Sequence, residues 1–405
     1  MNFAHLPAAG ILGLLLLGLA FLGLVTSFIY LCLVLLATRR YKRNALLSVA
    51  SVRQIENADW PPVTVLKPLH GMEPGLEKNL ESFFQQDYPN FEIIFGVREA
   101  SDPALAVVER LHQNYPQVKS RVVLSGPPTW ANAKVFSQQK MLAFTSARYI
   151  IMSDSDVCVG PDLLQNVVAP LLDEKIGLVT CPYRGVPAPG LGSSLEALGM
   201  SVEMTSGVIV ADMLEGMRFA LGPVTAARRE VLEQIGGFPA VADYYSDDFE
   251  LGQKIWAAGY KVIFSHYVIE HVLTPRRFWR TLADQLRWMK STRYSRPAGH
   301  VGTGLTYAVP FGLLGLIASA VSGRLWLGVA CLSIAWLNRM VQSLIVGWGI
   351  VRDRRALRLC WLYPLRDLLG FCLWLASFTG RGFVWRGEKY SFRKGGKIIA
   401  ADRAQ

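Results

Sequence analysis

Acidic residues are missing from the first 50 positions of this 405-residue chain and scarce in the last 130, which hold five of them. Those two ends carry four and 21 basic residues, whereas residues 51–275 carry 17 basic and 26 acidic ones. The formal net charge of +11 is therefore an average over an acidic middle and two basic ends. Because the excess of positive charge lies on the two ends and not on the middle part, this distribution disfavours a nucleic-acid-binding protein.

Cysteine pairs of the disulfide or zinc-binding type are also absent from the sequence. The six cysteines form no CxxC or zinc-type spacing, and four of them lie in apolar runs. We interpret them as buried thiols in a reducing compartment. No internal repeat or low-complexity tract interrupts the chain.

Charge is missing altogether from residues 9–37, a run rich in Leu and Gly. A bilayer core needs about 20 apolar residues, so this run is long enough to span it. A signal peptide would have its basic residues before a shorter apolar stretch, but here Arg39, Arg40, Lys42 and Arg43 follow the run. We predict a retained anchor within residues 1–50 of a multi-pass inner (cytoplasmic) membrane protein, with the chain after the anchor in the cytosol.

Three further apolar runs lie in the C-terminal third, at residues 301–321, 325–350 and 360–378. Four full crossings from an outside N-terminus would put the tail outside, yet the tail at residues 381–405 is basic, which favours the inside. We therefore expect one run to be re-entrant or interfacial, and residues 360–378 are the candidate. Residues 276–300 mix basic and aromatic side chains, as an interfacial helix does.

The acidic middle at residues 51–275 has the pattern of an α/β domain. Strand-like apolar runs occupy residues 63–66, 91–97, 121–124 and 149–152. Helix-like segments between them occupy residues 76–84, 103–115 and 134–144. Alternating strands and helices predict a mostly parallel sheet, and ligands of such sheets bind at the carboxyl ends of the strands.

Two carboxylates follow the fourth strand-like run directly. Asp154 and Asp156 are spaced so that both could bind one divalent cation, Mg²⁺ or Mn²⁺, which would also contact a substrate's phosphates. The alternative is a solvated turn.

Other candidate residues have structural alternatives of similar weight. Asp102 could begin the helix that follows Pro103 or could accept a hydrogen bond from a nucleobase or ribose. Lys134 could neutralise a diphosphate or be a surface lysine.

A cluster of acids marks a predicted helix start near Asp248. Crowding of like charges raises carboxylate pKa values, so Asp248 could act as a general base. Arg287, before the first C-terminal apolar run, could contact an anionic leaving group or extend its charge towards the membrane surface.

In this order the motifs resemble those of inverting, GT-A type nucleotide-sugar glycosyltransferases, and more specifically the ceramide glucosyltransferase family, family 21. Among bacterial relatives, the hopanoid biosynthesis-associated glycosyltransferase is the most similar. The resemblance covers about residues 60–300. It is carried by Leu66-Lys67-Pro68-Leu69-His70-Gly71, Leu80-Glu81-Ser82-Phe83-Phe84, Asp87-Tyr88-Pro89, Ser101-Asp102-Pro103, residues 228–237 and Gln285-Leu286-Arg287-Trp288.

The resemblance implies roles for individual residues in the acidic middle. Asp102 matches the family's first aspartate, and Glu99 is a possible contact to the nucleoside. Asp154 matches the second aspartate, with Asp156 completing a metal site. Asp248 matches the third aspartate, which is the base.

Arg287 and Trp288 match the end of the family's Q/R-x-x-R-W motif. The position four before Trp288 is Asp284, whereas Gln285 comes one place later. The resemblance therefore leaves the motif's first residue in doubt, and Gln285 is its candidate replacement.

The resulting hypothesis is an inverting hexosyltransferase that moves a sugar from a UDP-sugar to a hydroxyl of a membrane lipid. By resemblance we favour UDP-N-acetylglucosamine and a hopanoid polyol such as bacteriohopanetetrol, with UDP-glucose and ceramide as the alternative. A processive polysaccharide synthase would have the same catalytic core, although four apolar runs are few for a polymer tunnel. A membrane protein that binds a nucleotide-sugar without turnover is the non-enzyme alternative.

Overall fold

The computed structural model describes residues 8–52, 55, 60–385 and 387–400. The chain divides into two compact units. The first comprises the described parts of Met1–Arg39, Gly190–Val210 and Arg276–Gly380, and the second those of Arg40–Pro189, Ala211–Pro275 and Arg381–Gln405. Residues 190–210, which the sequence analysis assigned to the acidic middle, thus belong to the unit that contains the C-terminal apolar helices.

Strands occur only in the second unit of the described chain. They are β1 (Val63–Pro68), β2 (Phe91–Val97), β3 (Lys119–Leu124), β4 (Tyr149–Ser153), β5 (Val157–Cys158), β6 (Ile176–Thr180), β7 (Tyr183–Val186), β8 (Val224–Arg228), β9 (Lys261–Phe264), β10 (Ile269–Val272), β11 (Gly382–Trp385), β12 (Glu388–Phe392) and β13 (Ile398–Ala400).

The helices connect these strands and form most of the first unit. They are α1 (Ala8–Val52), α2 (Leu76–Phe84), α3 (Ala104–Asn114), α4 (Ala133–Leu142), α5 (Leu163–Val168), α6 (Leu191–Leu198), α7 (Thr205–Glu215), α8 (Arg229–Gln234), α9 (Asp247–Ala257), α10 (Phe278–Ser295), α11 (Pro297–Thr303), α12 (Val309–Val321), α13 (Leu325–Gln342), α14 (Arg354–Leu359) and α15 (Tyr363–Ser377).

The central sheet of the second unit has the strand order β3-β2-β1-β4-β8-β6-β9. Its described strand pairs are parallel except for those of β8, which runs antiparallel to both β4 and β6. Strands β4 and β8 are buried along their whole length, because helices cover both faces of a sheet of this kind. The predicted fold class, α/β with a mostly parallel sheet between an N-terminal apolar helix and C-terminal apolar helices, is confirmed.

Two small sheets accompany the central one. Strands β5, β10 and β7 form one, in which β10 is antiparallel to β5 and parallel to β7. Strands β11, β12 and β13 form the other, an antiparallel sheet in the predicted basic tail. The sequence analysis did not predict structure in this tail.

Four helical stretches of the described chain are long and apolar enough to cross a membrane: Ile11–Leu46, Leu191–Glu215, Leu325–Trp348 and Arg354–Ser377. The sequence analysis missed Leu191–Glu215, which is continuous through a π-helical segment at Gly199–Met204. The predicted run at residues 301–321 is instead two short helices, α11 and α12. Helix α12 has 13 residues, a length of about 20 Å, which is less than a hydrocarbon core of about 30 Å.

Strand pairing limits which stretches can cross completely. Strand β4 precedes Leu191–Glu215 and β8 follows it, yet the two pair with each other. A sheet cannot pair across a bilayer, since unpaired polar backbone is not tolerated in its core. Both ends of Leu191–Glu215 therefore lie on one side, and the stretch does not make a single complete crossing.

The same reasoning fixes the side of the C-terminal tail. The Ile398 backbone N–H donates to the Asp243 carbonyl at 2.8 Å, so the tail and the central sheet share one side of the membrane. The chain between residues 276 and 381 must cross an even number of times. The expectation that one of the three C-terminal runs does not cross stays a prediction. Among the described helices of these runs, α12 is too short to span, whereas Arg354–Ser377, which contains most of residues 360–378, is long enough to cross.

Charged side chains inside the apolar helices of the first unit are paired. Arg366 forms an ion pair with Glu203 at 2.9 Å, and Arg339 one with Asp367 at 3.4 Å. Gly199 allows the first pair, because a Cβ at this residue would lie 2.5 Å from the Arg366 Nε. Ionisable residues at membrane depth are expected to be paired in this way.

The strand pairing gives a prediction about membrane sidedness. In a variant without the six native cysteines, single cysteines introduced by Ser101→Cys and Lys389→Cys should react with a membrane-impermeant maleimide from the same side of sealed vesicles. Both residues are exposed, and they lie before and after all the apolar stretches that follow α1. Labelling from opposite sides would contradict the even number of crossings.

Candidate active site

The turn after β4 carries Asp154 and Asp156 at the carboxyl end of a central strand, as predicted. The Asp154 N–H donates to the Pro223 carbonyl at 3.1 Å. The Ser155 hydroxyl donates to Glu73 Oε2 at 2.8 Å. Contacts to segments far away in sequence therefore fix the backbone of the turn, which limits the directions that its carboxylates can take.

Lys67 supports the same turn from the neighbouring strand β1. Its side chain is fully buried, and its Nζ donates to the Asp154 carbonyl at 2.6 Å and to the Ser153 hydroxyl at 3.2 Å. The Nζ also lies 3.7 Å from the centre of the Phe83 ring. Burial lowers the pKa of Lys67 to about 7, although nearby acids including Asp154 oppose the shift.

Lys134, near the start of α4, connects the two acidic segments of the site. Its Nζ lies 3.0 Å from Asp154 Oδ1 and 3.4 Å from Asp247 Oδ2. Burial alone would lower the pKa of Lys134, but the carboxylates of Asp154, Asp247 and Asp248 outweigh it and raise this pKa above its usual range. The structure therefore gives an ammonium ion held between carboxylates rather than a surface lysine.

Asn132 fixes the positions of Lys134 and Asp247 relative to each other. Its fully buried side chain accepts from the backbone N–H groups of Lys134 and Val135 through Oδ1, as a helix cap does. Its Nδ2 donates to the Tyr244 carbonyl at 3.1 Å and to Asp247 Oδ1 at 3.0 Å. One amide thus joins the start of α4 to the start of α9.

Asp248 is the second residue of α9 and lies beside this network. Burial raises the pKa of its carboxyl group to about 7, and the neighbouring Asp247 carboxylate adds to the shift, whereas Lys134 opposes it. A carboxylate with a pKa near neutrality can take up a proton during a reaction. This is the property that the sequence analysis inferred from the crowding of acids.

A small cavity is lined by Lys134, Asp247 and Asp248 together with apolar side chains of the core. Gly222 also lines it, and a Cβ at this position would lie 3.1 Å from Asp248 Oδ2. The glycine therefore leaves room for the Asp248 carboxylate.

The fit of a divalent cation to this site can be judged from Asp156. Its Oδ2 lies 3.5 Å from His271 Nε2, and its buried Oδ1 has no hydrogen-bond partner among the described residues. No set of three acidic, His or Cys side chains that could hold a metal occurs in the described chain. However, Mg²⁺ is commonly held by one or two carboxylates plus substrate phosphates, and Asp154 and Asp156 fit that arrangement.

Asp102 has the structural role that was one of its two predicted alternatives. Its Oδ1 accepts from the Ala104 N–H at 2.9 Å, within the first turn of α3, and both oxygens accept from the Gly71 N–H at 3.1 Å. This connects the loops after β1 and β2. Glu99 is exposed in the same loop. The predicted nucleoside contacts of Asp102 and Glu99 stay predictions.

Helix α10 of the first unit carries the predicted basic-aromatic motif. Arg287 Nη1 donates to Asp284 Oδ1 at 2.7 Å, and Arg276 Nη1 donates to Asp284 Oδ2 at 2.5 Å. Asp284, the residue that departs from the family motif, is therefore the ion-pair partner of Arg287. It restricts the rotamers of this arginine.

Gln285 and Trp288 of the same helix have different environments. The Gln285 side chain is buried, and its Oε1 accepts a hydrogen bond from Arg366 Nη1. Trp288 is 37% exposed. The predicted roles of Gln285, Arg287 and Trp288 in substrate binding stay predictions.

Sequence reasoning assigned no role to Lys67, Asn132, Asp247 or His271. For Lys67 a signal existed, because a lysine inside an otherwise apolar strand is costly to bury without a purpose. Asn132 precedes a helix, which indicated a cap but not its contacts to the start of α9. For His271 the sequence offered no signal.

The raised pKa of Asp248 gives a prediction about stability. Between about pH 4 and 7 the unfolded chain loses the Asp248 proton while the folded chain keeps it, so the wild-type protein loses stability as the pH rises through this window. Asp248→Asn should therefore raise the melting temperature more at pH 8 than at pH 5, measured by intrinsic fluorescence in detergent.

Asp243→Asn is the matched control, since Asp243 is exposed and close in sequence. An equal shift of the Asp248→Asn variant at both pH values would contradict the raised pKa.

Comparison with known proteins gives a consistent result. The chain matches the model of glycosyl transferase family 21 over residues 19–398. It is 23% identical over 359 residues to ceramide glucosyltransferase 1 of Caenorhabditis elegans. This alignment covers 85% of the present chain and 74% of the relative. Ceramide glucosyltransferase of Komagataella phaffii is 37% identical over 116 residues, 26% of this chain and 22% of the relative.

Solved structures with a similar fold include the mannosyltransferase PcManGT from Pyrobaculum calidifontis in complex with GDP-Man and Mn²⁺. It is 20% identical, covers 87% of this chain and 99% of its own, and has a TM-score of 0.47. The sequence match to the family model extends over most of the chain. On that evidence the protein belongs to glycosyl transferase family 21.

Proposed function

We propose that this membrane-bound glycosyltransferase moves a sugar from a UDP-sugar to a hydroxyl group of a membrane lipid, with inversion at the anomeric carbon. The observation that carries the proposal is the arrangement around Lys134, which joins the Asp154 turn to the start of α9 next to a carboxylate with a pKa of about 7. An anion-binding group and a base on adjacent elements are what such a transfer requires.

Glucose as the sugar and ceramide as the acceptor are the favoured pair. The sequence relatives that cover most of this chain are ceramide glucosyltransferases, which supports the alternative of the sequence analysis over its first preference. No comparison supports UDP-N-acetylglucosamine or a hopanoid polyol, and this pair becomes the competing outcome of the experiment below.

In the proposed reaction the lipid hydroxyl oxygen attacks the anomeric carbon, and the bond from that carbon to the donor's phosphate oxygen breaks. The hydroxyl proton passes to the Asp248 carboxylate, and the bonding electron pair leaves with UDP. Lys134 is positioned to contribute positive charge towards the diphosphate, because its ammonium is already held in place by Asp154 and Asp247.

A divalent cation, when bound by Asp154 and Asp156, would neutralise part of the charge of the diphosphate. The buried Asp156 Oδ1, which has no hydrogen-bond partner among the described residues, supports this assignment. The role of Arg287 towards the same leaving group remains the prediction made from its motif.

The proposed location is the cytoplasmic membrane, with the catalytic unit in the cytosol, where UDP-sugars are available. The basic residues Arg39, Arg40, Lys42 and Arg43 after the apolar part of α1 support this orientation. The apolar helices would attach the catalytic unit to the bilayer that contains the acceptor.

The proposal is tested with the purified full chain in lipid nanodiscs. UDP-glucose with ceramide and UDP-N-acetylglucosamine with a hopanoid polyol are supplied in separate reactions, and the lipid products are analysed by mass spectrometry and NMR. We expect a β-linked glucosyl lipid in the first reaction. Asp248→Asn should lower kcat at least about 100-fold, with Asp243→Asn as the control.

Each other outcome has a distinct meaning. Product in the second reaction alone would replace the substrate pair, and a polymeric product would favour a polysaccharide synthase. An α-linked product or full activity of Asp248→Asn would exclude the mechanism. UDP-sugar binding without lipid-dependent release of UDP from either donor would support the non-catalytic alternative.

Removal of divalent cations gives a further prediction. EDTA should abolish the transfer, and Mn²⁺ or Mg²⁺ should restore it, because the proposed ligands Asp154 and Asp156 are carboxylates, which oxygen-preferring cations bind. His271→Ala should raise the Mn²⁺ concentration for half-maximal activity by about tenfold, since His271 Nε2 lies 3.5 Å from Asp156 Oδ2. Full activity in EDTA would contradict the assignment.

A further inference from the structure

The C-terminal sheet, strands β11 to β13, follows the last apolar helix in the chain but belongs to the second unit, together with the candidate active site. Its basic side chains Arg381, Lys389, Arg393, Lys394 and Lys397 are exposed. The sequence analysis treated this segment as a basic tail that faces the cytosol. Its contacts indicate a more specific role.

Backbone hydrogen bonds connect this sheet to the segment that leads into α9. The Ile398 N–H donates to the Asp243 carbonyl at 2.8 Å, and the Tyr245 N–H donates to the Gly396 carbonyl at 3.3 Å. Tyr244 and Lys397 form a β-bridge between these bonds. The three bonded residues, 243–245, end two positions before Asp247.

The turn before β13 has a shape that glycine permits. Gly395 and Gly396 have φ values of 79° and 85°, which side-chain-bearing residues rarely adopt. This conformation places the Gly396 carbonyl where it accepts from Tyr245.

Side-chain packing reinforces the connection through Tyr245. The centre of its ring lies 5.4 Å from that of Phe383, 5.2 Å from Trp385 and 5.6 Å from Phe392, all in edge-to-face geometry. Phe392 is fully buried and stacks on Phe383 at 4.4 Å. Such aromatic pairs have a preferred geometry as well as a large buried area, so they fix orientation.

The opposite side of the same segment is held by Asn132, whose Nδ2 contacts the Tyr244 carbonyl and Asp247 Oδ1. Residues 243–247 are therefore held from two sides, by a buried amide and by the C-terminal sheet. Asp248 follows immediately, and its carboxylate lies in the space left by Gly222. A shift of this segment would displace both Asp247, which binds Lys134, and Asp248.

We infer that the C-terminal sheet positions the start of α9 for the transfer reaction, and that Tyr245 and Phe392 are positioning residues for Asp248. This inference rests on the proposed function of Asp248 as the base. The sheet contacts neither substrate nor reacting atoms in this role, and acts through the backbone of residues 243–247.

The inference is tested with four variants of the full chain: Tyr245→Phe, Tyr245→Ala, Phe392→Ala and the double alanine variant. Lys389→Ala is the matched control, since this exposed residue lies on the same sheet. The measurements are kcat and KM for UDP-glucose, the melting temperature, and the pH dependence of kcat. Should the other donor prove active, it replaces UDP-glucose.

Both single alanine variants should lower kcat by about 100-fold, the effect of a misplaced catalytic group, while KM for the donor changes by less than about threefold. Tyr245→Phe should keep nearly full activity, because it retains the ring. The kcat of the double variant should be no lower than that of the less active single variant, since both residues act through one contact.

The pH dependence separates positioning from a loss of folded protein. The charged and titratable groups around Asp248 are Asp247, Lys134, Asp154 and Tyr183, and polar and apolar side chains of the core line the rest of its cavity. If the segment loosens and water enters, the acidic limb of the kcat profile should move to lower pH in the alanine variants. A lower folded fraction reduces kcat at every pH and leaves the limb in place.

Wild-type kcat in the alanine variants, or a loss of kcat with an unmoved acidic limb, would overturn the inference. The proposed function fails separately, if Asp248→Asn remains fully active or the wild-type protein transfers no sugar. An active wild type, an inactive Asp248→Asn and unaffected alanine variants would refute the positioning role alone.

Discussion

The ion contacts of Lys134 hold the candidate site together. Its ammonium group lies between Asp154, which follows a central strand, and Asp247, which begins α9. Without the Lys134 ammonium group, the carboxylates of the two segments would repel each other across a partly buried space, and no attraction between opposite charges would hold them together. Two other buried residues hold these segments in place. Lys67 donates to the Asp154 carbonyl and fixes the turn after β4, and Asn132 donates to Asp247 and fixes the start of α9.

The unit that contains the apolar helices holds two ion pairs between segments that are distant in sequence. Glu203 is paired with Arg366, and Asp367 with Arg339. Arg366 also donates to Gln285, so a residue of the basic-aromatic motif on α10 is connected to the ion pair of the apolar helices. Buried pairs of this kind contribute little net stability compared with apolar residues. Their value is that they specify which helices pack together.

The sequence predicted the strands of the central sheet because residues 91–97 and 149–152 form continuous apolar runs, as strands buried on both faces do. It missed Leu191–Glu215, because Glu196, Glu203 and Asp212 interrupt the apolar pattern of this stretch. The partner that makes Glu203 tolerable, Arg366, lies 163 positions away, and no local pattern reveals it. Short strands in the basic tail were missed for a similar reason, since their core is formed with Tyr245 of a remote loop.

The candidate site shows the same difference between residues with a local sequence signal and residues that act through long-range contacts. Asp154 and Asp248 were accessible to sequence reasoning because strand ends and crowded acids leave local signals. Asn132 and His271 act through contacts with residues more than 100 positions away, and these contacts exist only in the folded chain. The match to the family model over residues 19–398 confirms the family that the sequence motifs resemble.

The position of Leu191–Glu215 also has a consequence for biosynthesis. Strands β1 to β4 leave the ribosome before this apolar stretch, whereas β8 and β9, which complete the same sheet, leave after it. Domains generally fold as units during synthesis, but this sheet cannot be completed until the whole stretch has been synthesised and both of its ends lie on the same side of the membrane. Translation of the stretch, its placement and completion of the central sheet are therefore ordered steps of one process.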